Sequence, residues 1–537
     1  MLFATVVSSF VRGQNPSSSP SSDSLEQHHS AAAVFLSRGD QQLAASEYQA
    51  FLAEALHRTA NAHARIGEPQ RAVDLFTQAV EFDDHDAALL DDFASLRFDQ
   101  DQLSDAESLL HSELALNPDD LRAHFLMGRV LFNEEKYQAA KPHLELAWKQ
   151  GQAQAAWYLL GVTDLKLQQL SAAQELFKKT LLRLGDKAST HVQLGLAYNT
   201  GDYPDEAVFE FKKAIALAPR ALDQHYYLGL AYLGHNPEAG FGRAEPEFRA
   251  ELGLAPSDFR SHYMLGYIAL KQSRMPEAEK EITRALALKP GDPATLLLAA
   301  ELFSSTARDA QAEPLLRQAI SALGVSSPPK YDSIRAHYML GRLLQRTGRE
   351  QEAAKELAIS EQLRMQLRAA SGSTPKDRTA QAPQPSLPQE TAPPVTAEER
   401  ARAEAFIHQL SPAIAEAFNN LGAIAANQHQ CPACVTYFRR AGEWDTAQEG
   451  VDRNLGRAAF LCHQYEQAVP PLSRYLERHA DDAAVRSALG LSLFHLENYQ
   501  KVVEVLAPMQ SFIQTQANPE LSDAYSTSLS KIEKQQK

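Results

Sequence analysis

The pair Leu-Gly recurs along the chain at a fixed interval, at Leu160-Gly161, Leu194-Gly195, Leu228-Gly229, Leu265-Gly266, Leu340-Gly341, Leu421-Gly422, Leu455-Gly456 and Leu489-Gly490. Gly161, Gly195 and Gly229 are each 34 residues apart, as are Gly422, Gly456 and Gly490. A constant period of this size dictates a stacked array of identical supersecondary units. In such arrays each unit buries its apolar face only against its neighbours, so the long outer surface is free for binding.

A second mark follows each glycine by about twelve residues: Ala173, Ala207, Ala244, Ala278, Ala312 and Ala353, then Cys434 and Ala468. A large apolar residue comes four positions later, as at Phe177, Phe211, Phe248, Ile282 and Phe438. Pro219, Pro256 and Pro290 close their units, and Gly67, Gly201 and Gly348 fall between the marks. Apolar residues at helical spacing, broken by these punctuators, predict helix, turn, helix and a Pro-marked turn. Glycine and alanine let the two helices approach, and the bulky residue fills the space beside them.

This pattern resembles the tetratricopeptide repeat family. Gln193-Leu194-Gly195-Leu196-Ala197-Tyr198, followed by Ala207, Phe211, Ala214 and Pro219, carries the likeness most fully. The resemblance implies an all-α, right-handed superhelical solenoid of antiparallel helix pairs. About thirteen units are legible: nine regular ones over residues 53–370, three over 413–514, and a truncated one before them with Gly39, Ala44 and Tyr48 in register. In the truncated unit Ala44–Leu52 runs into Ala53–Arg65 without Pro, Gly or Asn, which predicts one long helix. The spacing also predicts a turn about three residues longer near Gly234–Gly242, a longer turn between units at Gly324–Ser333, and a last helix over about 519–535.

Two segments fall outside the periodicity. Residues 2–11 form a short apolar run, and Val11 and Gly13 place short side chains at −3 and −1 of a cleavage before Gln14. A Ser/Pro stretch continues to Ser24. Residues 1–24 therefore read as a secretory signal and spacer, although no Lys or Arg precedes the apolar run. Residues 371–396 are rich in Pro, Gln, Ala, Ser and Thr, which predicts a disordered linker. The expected division is a first block over 25–370 and a second over 397–537, tethered by that linker. The expected location is secreted or periplasmic, in a bacterial envelope, with the cytoplasm as alternative.

The formal net charge is −15, and residues 68–120 hold fifteen acids against Arg71 and Arg97. Such a chain lacks the basic stripe that phosphate recognition needs, which argues against nucleic acid as a partner. No apolar run reaches the roughly 20 residues of a membrane-spanning helix. Neither a phosphate loop nor a His-Glu-x-x-His or Gly-x-Ser-x-Gly motif occurs, so no enzyme and no cofactor are expected.

By resemblance, the residue after the bulky position of each first helix lines the concave face. That assigns Phe125, Tyr158, Tyr226, Tyr263 and Tyr338 to a groove, with Tyr267 and Arg342 one turn on. Arg335, Arg342 and Arg346 make the ninth unit basic. Such a lining suits an extended peptide or a docked helix. The family's chaperone-binding members clamp a C-terminal carboxylate with paired cations. The matching places here hold His57, Asn61, Asp92, Arg122 and Leu126 in the first three regular units, and Asn419, Ala423, Asn454, Ala484 and Ala488 in the last three. Neither set supplies that clamp.

Five histidines, His124, His191, His225, His262 and His337, share the position before Leu-Gly or Met-Gly. At one per unit they stand roughly 10 Å apart, too far to share a metal, and read as structural. Cys431-Pro-Ala-Cys434 and Cys462-His463 fall near one turn edge. The readings are a buried small residue at Cys434, a local disulfide, or a Cys/His metal site with His429 or His463. The expected function is a protein–protein scaffold or adaptor. A redox- or metal-linked module at Cys431 and Cys434 is the alternative, and a regulatory subunit of a separately encoded enzyme is the third.

Overall fold

The computed structural model describes residues 22–149, 155–234, 236–324, 331–371, 395–445, 450–514 and 519–535. Among them every regular element is helical. The unit predicted around Leu194-Gly195 consists of the helices Ala188–Thr200 and Pro204–Leu217, the second opening on a proline where no amide donor is needed. The bend between them takes a left-handed residue, Asp202 at φ 70° rather than the neighbouring Gly201. A Cβ on Gly195 would stand 2.7 Å from the Phe211 ring, which is why the ruler mark is glycine. Aspartates cap many first helices: Asp86, Asp120, Asp258, Asp292 and Asp482 each accept hydrogen bonds from backbone amides of the opening turn.

The helices group into two compact units. One comprises the described helices between residues 119 and 393. They run in consecutive pairs from Leu121–Asn133 and Tyr137–Lys149 to Tyr331–Arg346 and Glu350–Ser371. Tyr226, Phe248, Met264, Ile268 and Leu298 form part of its continuous core. The three additional residues near Gly234 do not lengthen a loop. They extend the second helix, Pro237–Leu254, at its start. Gly240 there lies against the Tyr232 carbonyl, where a Cβ would clash.

The other unit joins residues 15–118 with 394–537, which differs from the sequential division expected above. Its centre is the continuous helix Gln41–Arg65, the product of the missing turn at Leu52. Against it packs Ala397–Asn427, which opens with a Thr396/Glu399 capping box. Tyr48, Phe51, Leu52 and Leu56 share one core with Ile414, Phe418 and Leu421. Asn420 Nδ2 donates to the Tyr48 hydroxyl at 2.8 Å, Arg400 donates to the Ile66 carbonyl at 2.8 Å, and Arg440 pairs with Glu81 at 2.7 Å. A long helix in a truncated unit presents more apolar side than its own hairpin covers. The helices that follow residue 397 complete it.

From Ala397–Asn427 the pairs continue through Cys431–Trp444, Val451–Leu461, Tyr465–Arg478, Ala483–His495 and Tyr499–Leu506 to Pro519–Gln535. The expectations for residues 1–21 and for most of the 371–396 linker and the Gly324–Ser333 turn lie outside the described residues. Ser22–Ser37 is already helical, so the spacer expected up to Ser24 ends earlier. Among the described residues no helix is long and apolar enough to cross a membrane.

Candidate functional site

The helix Ala483–His495 carries Ala484, Ser487, Ala488 and Leu491 at i, i+3, i+4 and i+7, on one face. Three of these side chains are small, so the face is low. Around it stand Phe460 and Leu461 from the preceding unit, Met509 from the following one, and Leu521 from the last helix. Together they line an open hollow of about 500 Å³, with Arg457 and Glu520 also among its lining residues. Leu461 is 65% exposed at the edge of the hollow. Ala484 and Ala488 are two of the positions compared above with the family's carboxylate clamp. Their small side chains leave apolar space in the hollow. At the other clamp-like place, the Asp92 carboxylate accepts from Asn61 Nδ2 at 2.8 Å and stands 3.0 Å from His57 Nε2.

The aromatic groove expected in the middle units requires correction. Phe125, Tyr158, Tyr226, Tyr263 and Tyr267 are all buried, none more than 9% exposed. Residues of the next repeat cover two of these rings. Arg260 lies 4.6 Å over the Tyr226 ring, held there by Asp223 and, at 2.8 Å, by Asp258. Tyr158 meets Thr200 at 3.3 Å, and burial pushes its phenol up to about 12. Burial likewise holds the Tyr226 and Tyr263 phenols far above the ordinary value. Tyr338 remains 47% exposed, and Arg342 and Arg346 are exposed. The basic end is nonetheless paired within the array: Arg346 with Asp309 at 2.6 Å, Arg335 with Glu301, and Arg342 donating to Gln345 at 2.9 Å.

The histidine series belongs to the scaffold. His225, His262 and His337 each meet a glutamate of their own hairpin at 2.6 Å, namely Glu247, Glu281 and Glu356. His191 pairs in the same way with Glu210, and His124 meets His143 at 2.7 Å. The separation in sequence is 19 residues, and 22 where the second helix is extended. That offset is a signal the sequence carried. Hydrogen bonding from His262 holds the Glu281 carboxyl below its ordinary range, against the opposing effect of burial.

Of the cysteine readings left open above, the structure holds both a disulfide and a buried small residue. Cys431 is bonded to Cys462, across two consecutive repeats. Cys434 is a free thiol, 2% exposed, with its Sγ 3.8 Å from Cys462 Sγ. The reason is positional. Cys434 holds the small-residue place facing into its own hairpin, whereas Cys431 opens the helix and meets the next unit's turn. His463 is turned to the Tyr465 hydroxyl at 2.8 Å. Among the described residues, Asp83, Asp84 and His85 gather ligand-type atoms within 4.8 Å, all exposed.

Models of the tetratricopeptide repeat match residues 92–156 and 238–293, and a second such model matches residues 188–220. No curated protein matches the chain. Among solved structures, a tetratricopeptide repeat protein from Parabacteroides merdae ATCC 43184 is 13% identical, covering 53% of this chain and 98% of its own, with a TM-score of 0.35. MamA is 23% identical over 30% of this chain and 95% of its own, at a TM-score of 0.27. YrrB, described as having an unusual peptide-binding site, is 20% identical over 40% of this chain and 92% of its own, at 0.24.

Proposed function

Because this chain is a tetratricopeptide-repeat protein, we propose that it is a non-catalytic scaffold that captures an apolar helical segment of a partner protein. The site is the hollow floored by Ala484, Ser487, Ala488 and Leu491. The observation that carries this reading is the low face itself. Small residues at i, i+3 and i+4 leave room for another helix's large side chains, and Phe460, Leu461, Met509 and Leu521 supply apolar walls. A volume of about 500 Å³ lies within the usual range of ligand sites, roughly 300–1,000 Å³. Arg457 and Glu520 offer one charge of each sign for orienting the segment. The Cys431–Cys462 disulfide supports an oxidising compartment, secreted or periplasmic, for this activity.

Selection of displayed peptides against the full chain tests the reading, with Ala488→Trp and Leu461→Glu as counter-screens. The expected binders carry large apolar residues at helical spacing and lose affinity for both variants. Binders indifferent to both substitutions would remove the hollow as the site.

A further inference from the structure

Three sulfur atoms meet where two consecutive repeats turn. The disulfide joins Cys431, first residue of the helix Cys431–Trp444, to Cys462, which caps the end of Val451–Leu461. The third sulfur, on Cys434, stands 3.8 Å from that of Cys462 and donates to the Cys431 carbonyl at 3.1 Å. We propose that these residues form a thiol–disulfide exchange site, in which Cys434 displaces Cys431 from Cys462 and delivers a reactive thiol to the surface.

The exchange is balanced within the protein. Burial pushes the Cys434 thiol up, so the step runs at alkaline pH, where hydroxide takes the proton to give water and the Cys434 sulfur attacks Cys462 Sγ. A Cys434–Cys462 bond forms as the Cys431–Cys462 bond breaks. The electron pair leaves on Cys431, which takes up a proton, and no external oxidant or reductant is consumed. Position decides the direction of attack. Cys431 sits at a helix N-terminus whose cap residue, Gln430, makes no side-chain hydrogen bond to the opening amides. Cys431, partly exposed at the helix N-terminus, leaves as a thiolate that water and the helix dipole stabilise.

Exposure decides the consequence. Cys434 is buried and Cys431 is partly exposed, so the exchange moves the free thiol from the interior to the rim. There it can react with a small disulfide, R–S–S–R, forming Cys431–S–S–R and releasing R–S⁻. The ligand class is therefore a low-molecular-weight disulfide. The sulfur of Cys434 has no packing role that the other repeats require, since Ala207 and Ala468 fill the same place.

The test treats the native, full-length oxidised protein with iodoacetamide, followed by disulfide mapping of its peptides. The expected product carries the label on Cys431 and a Cys434–Cys462 bond. In Cys434→Ala the label disappears from Cys431 and the Cys431–Cys462 bond persists, with the helical circular dichroism unchanged. Cys434→Ser, which keeps the side chain's size, gives the same loss and guards against a folding defect in the first variant. Label on Cys434 itself, on all three cysteines, or on none would overturn the proposal. So would Cys431 labelling at the wild-type rate in both variants.

Discussion

Replacing Phe418 with alanine probes the junction between segments far apart in the chain. Phe418 is 0% exposed. Its ring lies 5.9 Å from that of Phe82 and 6.5 Å from that of Tyr437, with the Arg440 guanidinium 5.9 Å away. A ring so enclosed carries the whole large-to-small cost, about 3–5 kcal/mol for Phe→Ala. At about 1.4 kcal/mol per factor of ten, amide protection should fall by about 100- to 4,000-fold in the elements that the ring couples. Those elements include Gln41–Arg65, which packs directly on Ala397–Asn427. Repeats couple only to their neighbours, so Ala188–Thr200 should keep its wild-type protection. Hydrogen exchange read by mass spectrometry gives both values from one sample. Loss of protection confined to residues 397–427, with Gln41–Arg65 unchanged, would refute the shared core.

Other consequences can be checked separately. The Glu281 carboxyl is held below its usual range, so its pairing stabilises the fold above the unfolded carboxylate value, about 4.3, and is lost as pH falls through the lowered native value. The stability gap between wild type and Glu281→Gln, from urea titrations, should therefore close on acidification; a gap that widens would contradict this. Among the described residues the buried Tyr226 and Tyr263 hydroxyls have no hydrogen-bond partner. Tyr226→Phe and Tyr263→Phe should change unfolding free energy by less than about 1 kcal/mol, and a loss of twice that would show a partner at work. In a Cys434→Ala background, which leaves no second partner for Cys462, Cys431→Ser should lower the melting temperature under oxidising conditions and leave it unchanged in dithiothreitol, since a disulfide stabilises by about 2–4 kcal/mol. Equal values in both conditions would argue against the Cys431–Cys462 bond.

The hairpins were legible because their constraints are local and repeat. Gly195 faces Phe211 within one unit, and the same contact recurs as Gly422 against Phe438. The long Gln41–Arg65 helix was legible for the same reason, since a turn that is missing leaves nothing to break a helix. What covers that helix was not legible. Phe418 and Tyr48 are separated by most of the chain, and no periodicity encodes which end of an array meets which. The groove was misassigned because a position was carried over without its neighbours. Tyr226 has the right register, but Arg260 of the next unit lies over it. Ala484 and Ala488 were read for the charge they lack, and only packing shows the space they leave. Three cysteines admit three pairings, and Cys434 at the small-residue place already favoured burial of its sulfur over the exposed bond.

The hollow over Ala484, Ser487 and Ala488 is the proposed capture site. A photo-crosslinking side chain introduced at Ser487, and separately at Tyr338, tests it directly with a peptide selected on the full chain. Irradiation should join the peptide to the protein from position 487 and not from 338, and unlabelled peptide should compete the product away. Crosslinking from 338 alone, or a 487 product that survives competition, would contradict it.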